Sequence, residues 1–466
     1  MENNGLSVRE EGSNERVSGS ERRGGGSSEN DEDSDEEEQQ FDISLAASHS
    51  YMGNGLVQVS GRSVLEAGWT GRVPVIAHHG AVFPGETVPM LLTNERDAAV
   101  ISRAIQHDKL FGLLCPDETG TLVCGYGVLC EVFEADAGVG EREGEGPRSL
   151  SFKARATHRF RCVPKQPAPI HVFSRMRVVE VCVLPEVRLG DPLAPARLAS
   201  LDALRRARTP LDARLRSMDA AVTPWPLFVY DIFDYRRMRQ IIEDYFRSLS
   251  LENLPEEAVS LSFWTASNLA LSARDRLALF AVDDTLLRLH MEVRLIARVS
   301  TRRRRHAGPP AAAKRHFSFQ KSVLCCSSCA VEIARREHIF AMSSEGVHSN
   351  YTNIGGYMHD IVTVSCASNT ELSGAPSAEF SWFPGYTWTI ALCAACLAHV
   401  GWRFDAQRRG LRPQQFYGLC RNYVQPRSDE HSPPARPGRS LSAELRAARR
   451  ALSELDHRER RDRPPS

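Results

Sequence analysis

Phe380-Ser381-Trp382-Phe383-Pro384-Gly385-Tyr386-Thr387-Trp388 runs almost directly into Cys393-Ala394-Ala395-Cys396. Three of the six tryptophans, Trp382, Trp388 and Trp402, sit around that one Cys-x-x-Cys knuckle. Tryptophan is scarce and large, so clustering it beside a metal-ligand pair predicts a rigid aromatic pocket rather than ordinary core. Pro384-Gly385 supplies a tight turn between the first two tryptophans, which lets their rings converge.

A second pair, Cys326-Ser327-Ser328-Cys329, lies upstream, with residues 330–392 between the knuckles. Two such pairs place four thiolates on one tetrahedral zinc, each at ~2.3 Å. Four thiolates close the coordination sphere, so the ion is structural. Cys325 stands next to Cys326 and offers an alternative ligand, but the Cys-x-x-Cys spacing selects Cys326. A redox dithiol is the competing reading, and the duplication of the pair speaks against it. His338, His348, His359 and His399 are not required as ligands and are assigned to surface or core. Between the knuckles, Tyr351, Tyr357-Met358-His359 and Ile361-Val362-Thr363-Val364 alternate as strands do. The zinc domain, 319–426, is thus read as all-β, two small sheets pinned by one ion, β-tent-like.

Outward from this domain, 466 residues with 42% apolar and 25% charged content leave room for two or three domains. Lys+Arg and Asp+Glu both number 58, so net charge argues for neither nucleic acid nor membrane. The start has no secretory pattern, and no stretch of ~20 apolar residues exists to cross a bilayer. Twelve cysteines, four of them in the two knuckles, favour a reducing compartment, cytoplasmic and nuclear.

Residues 1–68, with the acidic run 31–38 around Ser34, read as a disordered N-terminal segment. Residues 69–197 alternate as strands of a small, mostly antiparallel sheet or barrel, at 73–76, 88–92, 111–115, 125–132, 151–156 and 178–183. A helix is expected at 94–108, with Ala98, Ile101 and Ile105 on one face, and 134–148 reads as a solvated hairpin insertion. Residues 198–300 read as a helical bundle. One strong helix is expected after Pro224-Trp225-Pro226, carrying Leu227, Tyr230, Phe233, Met238, Ile241, Tyr245 and Leu249. Another is expected from Ser272-Ala273-Arg274-Asp275, carrying Leu277, Ala281, Leu286, Leu289 and Val293. The basic linker 301–318 holds Arg302-Arg303-Arg304-Arg305, a solvated run or a nuclear-import signal. Residues 427–466 form a mobile tail in which Leu441, Leu445, Ala448, Leu452 and Leu455 suit one short amphipathic helix. The fold class is therefore α+β and multidomain.

The strand order, the Pro84-Gly85 turn, the helix and Ala154-Arg155-Ala156-Thr157-His158-Arg159-Phe160 resemble the N-terminal domain of Lon proteases. That implies a binding module, because no Gly-x4-Gly-Lys-Ser/Thr phosphate loop is present. Glu379-Phe380-Ser381-Trp382-Phe383-Pro384-Gly385-Tyr386-Thr387-Trp388-Thr389, the cysteine pairs and His399-Val400-Gly401-Trp402-Arg403-Phe404 resemble the thalidomide-binding domain of the cereblon family. The domain order matches that family over roughly residues 70–426. The resemblance implies a non-catalytic substrate receptor of a cullin-4 RING E3 ubiquitin ligase, directing targets to proteasomal degradation. Its segment at about 198–250 would dock on the damaged-DNA-binding adaptor, with cullin-4 and the RING subunit reached indirectly. It further implies a cyclic-imide (glutarimide-like) site walled by Trp382, Trp388 and Trp402, with Phe404 at the base. Phe380 and Trp382 would offer backbone hydrogen bonds, and Asn353 would lie over the mouth.

Cereblons commonly carry histidine where this chain has Phe380, so a side-chain hydrogen bond is lost there. Gly355 also replaces a bulkier polar residue of vertebrate relatives. Two other function classes compete. Three tryptophans also suit a reader of methylated ammonium groups through cation–π contact, with Glu379 nearby. The zinc-pinned fold is also similar to B-type methionine sulfoxide reductases, with Leu419-Cys420-Arg421-Asn422 at their reactive-cysteine segment.

Overall fold

The computed structural model describes residues 38–53, 55–61, 64–117, 122–136, 149–163, 175–206, 210–301 and 323–427. The acidic run before residue 38, most of the 134–148 insertion, the arginine run 302–305 and the tail with its expected helix lie outside the described residues.

The chain opens with β1 (Gln39–Gln40), α1 (Ile43–Ala47) and a short 3-10 turn at Ser50–Met52. The barrel follows: β2 (Leu56–Gln58), β3 (Thr70–Ala77), β4 (Thr87–Leu92), α2 (Glu95–His107), β5 (Leu110–Pro116), β6 (Val123–Asp136), β7 (Leu150–Cys162) and β8 (Arg177–Val183). The sheet runs β2-β6-β5-β3-β8-β7-β4, and an added β6–β7 pairing closes it on itself. Only β3–β5 is parallel; the other pairings are antiparallel. The expected helix is α2. Asn94 caps it by accepting from the Arg96 and Asp97 amides, and Ala98, Ile101 and Ile105 are buried beneath it.

Next come α3 (Asp202–Arg206), α4 (Pro210–Ala221), α5 (Tyr235–Arg247), α6 (Ala258–Asn268), α7 (Ala273–Phe280) and α8 (Thr285–Thr301). Two expectations of single helices are corrected here. Leu227–Phe233 is a separate 3-10 turn, because Asp234 leaves helical geometry and caps α5, accepting from the Arg237 amide. Ser272 does cap α7, with the Ser272 hydroxyl accepting from the Asp275 amide. That helix ends at Phe280, and α8 begins anew at Thr285, with the Asp284 carboxylate accepting from the Leu287 amide. Helical spacing survives such a break, because capped segments can keep their apolar faces toward the same core.

The zinc domain contains β9 (Val323–Cys326), β10 (Glu332–Arg335), β11 (His348–Thr352), β12 (Met358–Val364), β13 (Thr370–Ser377), β14 (Tyr386–Cys393), β15 (His399–Ala406), β16 (Leu411–Arg412), β17 (Gln415–Cys420) and β18 (Val424–Pro426). It is built on two sheets, β10-β9-β18 and β11-β12-β17-β15-β14-β13, as the alternation anticipated.

The reading of all of 1–68 as disordered is corrected for its described part. β1 pairs in parallel with β16, Phe41 packs edge-on against Phe383 and Tyr386, and Ala46 is fully buried. Acidic composition marked the stretch as soluble, yet Phe41, Ala46 and Tyr51 supply enough apolar surface to hold residues 41–52 on the zinc domain.

Where barrel, helices and zinc domain meet, the contacts are polar and buried. Arg276 Nη1 lies 2.9 Å from Asp360 Oδ2, and Arg421 Nε lies 3.3 Å from the same oxygen. Asn350 Nδ2 donates to Glu86 Oε2 at 2.8 Å, and Trp264 Nε1 donates to the Glu345 carbonyl at 3.0 Å. The Val347 amide donates to Asn268 Oδ1 at 2.9 Å. A Cβ on Gly346 would stand 2.0 Å from that oxygen, and its φ of +132° independently favours glycine.

Candidate functional site

The knuckles come first, because they position everything else. β9 ends at Cys326, and β14 ends at Cys393. The Sγ atoms of Cys326, Cys329, Cys393 and Cys396 all lie within 4.8 Å of one another. Cys326–Cys396 is 3.7 Å and Cys329–Cys393 is 3.5 Å. A tetrahedron of thiolates ~2.3 Å from zinc has S–S edges of about 3.8 Å, close to these two edges, so the four residues fit the ion. Cys325 is buried and stands outside this group, which resolves the choice between it and Cys326. The ion is structural, and it ties the strand ending at Cys393 to the distant first knuckle.

Beyond Cys396 the chain returns as β15, antiparallel to β14, with Trp388 opposite Phe404 and Ile390 opposite Trp402. Side chains alternate across a strand, so Trp388, Trp402 and Phe404 share one face of the sheet. Phe383, Pro384, Gly385 and Tyr386 form a type II turn: Gly385 has φ +87°, and the Tyr386 amide donates to the Phe383 carbonyl at 3.1 Å. That turn brings Trp382 back over the sheet. Its ring meets Trp402 edge to face at 4.7 Å between centroids and 74° between planes. Tyr351 stacks on the other side of Trp382 at 5.1 Å and 14°.

The polar handles of two indoles are used internally. Trp382 Nε1 donates to the Thr352 carbonyl at 3.0 Å, and Trp388 Nε1 donates to the Glu379 carbonyl at 2.8 Å. These bonds fix the rings and pin the loop that carries Phe380, whose φ of +55° lies in the left-handed region. Among the described residues, the Phe380 carbonyl and the Trp382 amide enter no backbone hydrogen bond. Phe404 is fully buried beneath the rings, 6.1 Å from Trp382. Asn353 lies in the loop joining β11 to β12, where its Oδ1 accepts from the Tyr357 amide at 2.9 Å. Its Nδ2 faces His359 Nε2 at 3.3 Å.

Sequence reasoning missed four neighbours of this cluster. His359 lies 5.0 Å from Trp402 and 6.0 Å from Trp382, and His399 lies 4.6 Å from Trp402. Burial pushes His359 down to about 4, helped by the charges of His399, His78 and His79; His399 is also lowered, chiefly by burial. Both imidazoles are therefore neutral near pH 7. Tyr51 packs edge-on to Phe380 at 5.1 Å, and its hydroxyl accepts from the Thr352 amide at 3.0 Å. Tyr351 is the fourth. The strand alternation at 357–359 could have singled out His359 by its face; nothing local could have found Tyr51.

Cys420 is buried, with its Sγ 3.9 Å from His359 Nδ1. Burial, followed by the Asp360 carboxylate, raises its thiol well above the ordinary range. It is a packed thiol and not an accessible nucleophile. Among the described residues, no helix is long and apolar enough to cross a membrane.

The chain is similar to known proteins over its zinc domain and over most of its length. Residues 322–431 match a family described as Yippee zinc-binding/DNA-binding/Mis18, centromere assembly. The chain is 28% identical to protein cereblon of Danio rerio over 83% of its own length and 88% of that protein's. It is 27% identical to protein cereblon of Xenopus tropicalis over 84% and 86%. Against protein cereblon of Drosophila grimshawi the identity is 31% over 83% of this chain and 54% of that one. A solved Lon N-terminal domain protein from Xanthomonas campestris aligns with 49% of the chain at 19% identity, with a TM-score of 0.30.

Proposed function

We propose, from the premise that this chain is a cereblon relative over most of its length, that it is a substrate receptor of a cullin-4 RING E3 ubiquitin ligase. In this reading Trp382, Trp388 and Trp402 wall a site for cyclic imides or for protein chain ends that carry them. Phe404 forms the base, and Asn353 stands at the rim. The helical segment at about 198–250 contacts the damaged-DNA-binding adaptor, and the captured protein is presented for ubiquitination in the cytoplasm or nucleus. The chain itself recognises and positions; transfer belongs to the other subunits.

The observation that carries the ligand class is the mutual placement of Trp382 and Trp402, beside a Phe380 carbonyl and a Trp382 amide that enter no backbone hydrogen bond among the described residues. A planar imide presents one N–H donor between two acceptors and a saturated, apolar remainder. Aromatic walls desolvate the ring, while the Phe380 carbonyl and Trp382 amide supply an acceptor and a donor. Such a site discriminates strongly against an analogue that cannot donate, because its own acceptor is left unpaired.

A methyl-ammonium reader fits less well. The imidazoles beside the walls are held neutral by burial, so the surroundings disfavour positive charge. Glu379 is exposed, and its described role is to accept from Trp388 through its carbonyl. Calorimetric titration of the full chain with glutarimide, N-methylglutarimide and a trimethyl-lysine peptide tests the reading. Glutarimide alone should bind. Binding of the peptide without glutarimide would reject it. Affinity capture of a cullin-4 adaptor from cell extract tests the ligase role separately.

A further inference from the structure

One cysteine stands apart from the other eleven. Cys115, Cys130, Cys325 and Cys420 are buried, Cys124, Cys162 and Cys182 are half-buried, and four thiols belong to the zinc cluster. Cys366, just past the end of β12, is exposed, and its Sγ lies 3.0 Å from His338 Nδ1. On the other edge of that imidazole, Nε2 stands 3.9 Å from Glu337 Oε1, and Arg335 Nη1 lies 3.5 Å from the same oxygen.

The pairing is built by the backbone. Ile339 bridges to Val364, the Ser365 amide donates to the His338 carbonyl at 2.8 Å, and the Phe340 amide donates to the Thr363 carbonyl at 3.2 Å. The Cys366 loop is tied down further along, where the Ser368 amide donates to the Ile333 carbonyl at 2.7 Å. Thiol and imidazole therefore keep their separation without either side chain being buried. An exposed thiol, a base within hydrogen-bond reach and a carboxylate near the base's second nitrogen form the arrangement that activates a nucleophile.

We infer that Cys366, with His338 as its base, is a covalent modification site for soft carbon electrophiles of the α,β-unsaturated carbonyl class. In the addition, the Cys366 Sγ forms a bond to the β-carbon as the C=C π bond breaks. The thiol proton passes to His338 Nδ1 and ends on the α-carbon, so no oxidant or reductant is required. β12 carries His359 near one end and leads past its other end to Cys366, up to about 23 Å along an extended chain at ~3.3 Å per residue. An adduct at Cys366 thus leaves the tryptophan cluster free, and the site does not depend on the proposed imide binding.

The test uses the full zinc-loaded chain, acrylamide as electrophile and peptide mass spectrometry to follow each cysteine at neutral pH. Cys366 should react about tenfold faster in the unaltered chain than in His338→Gln, and faster than free glutathione. The melting temperature and zinc content of His338→Gln should match those of the unaltered chain. A saturating cyclic imide should leave the rate unchanged. Equal Cys366 rates with and without His338 would overturn the assignment. So would a rate in the unaltered chain no higher than that of glutathione, a comparison that needs no variant to fold.

Discussion

Replacing Trp402 with alanine removes the wall that touches Trp382, His359 and His399 at once. A bound imide would lose contact over about 60–80 Å² of apolar surface, which at ~25 cal/mol per Å² is about 1.5–2 kcal/mol. That corresponds to roughly a 10- to 30-fold rise in Kd. The side chain is 9% exposed, so truncation also costs about 3–5 kcal/mol of stability, including about 0.5–1.5 kcal/mol for its edge contact with Trp382. Affinity and folding must therefore be read separately, by titrating glutarimide well below the melting temperature of each variant. Trp402→Phe keeps an aromatic wall and should lose only a few-fold in affinity. A folded Trp402→Ala protein that binds glutarimide within about twofold of the parent would show that the tryptophans are core and not cage.

Other consequences can be checked independently. Cys329→Ser leaves three thiolates for the ion; it should release zinc to a chelator and lower the melting temperature by several degrees or more, with imide binding lost in step, because Cys393 and Cys396 anchor β14 and β15. Retained imide binding in the zinc-free variant would separate cage from metal. Phe41→Ala should cost about 3–5 kcal/mol in urea unfolding, against at most ~0.5 kcal/mol if the segment were loose on the surface. His49 is held near 3, and His78 and His359 near 4, each chiefly by burial. Their folded values lie below the unfolded value of about 6.5, so their contribution is full above that pH and is lost as pH falls toward 4. Burial raises Asp360 to about 7, which opposes the trend by one proton. His79, His348 and His399 are lowered in the same sense, while Asp284, Glu292 and Glu345 are raised along with Asp360, so six histidines stand against four carboxylates. Melting at pH 5.5 should therefore fall below that at pH 7.5; an equal or higher value would contradict the buried neutral state.

How much was legible beforehand depended on whether the signal was local. The Cys-x-x-Cys pairs, the Phe383–Tyr386 turn, the Ser272 cap and the β-rich texture of residues 69–197 are each written within a few residues. Their physics is short-range: φ preferences, side-chain caps and the two-residue period of a strand. Helix continuity was legible only in part. Asp234 and Asp284 cap new starts without disturbing the apolar spacing around them, so the pattern ran on where the helices did not.

By itself the sequence determined the domain order, the four zinc ligands and the aromatic residues available for a cage. Tertiary structure alone decided which groups surround those aromatics. Tyr51 reaches Phe380 from over 300 positions upstream, His359 comes to the rings from the β12 position paired with Tyr351 and on the same face, and Cys366 meets His338 only because Ile339 bridges to Val364. Such contacts join segments that share no local period. They are settled by which apolar faces must be buried together, a property of the whole packed chain and of no single stretch of it.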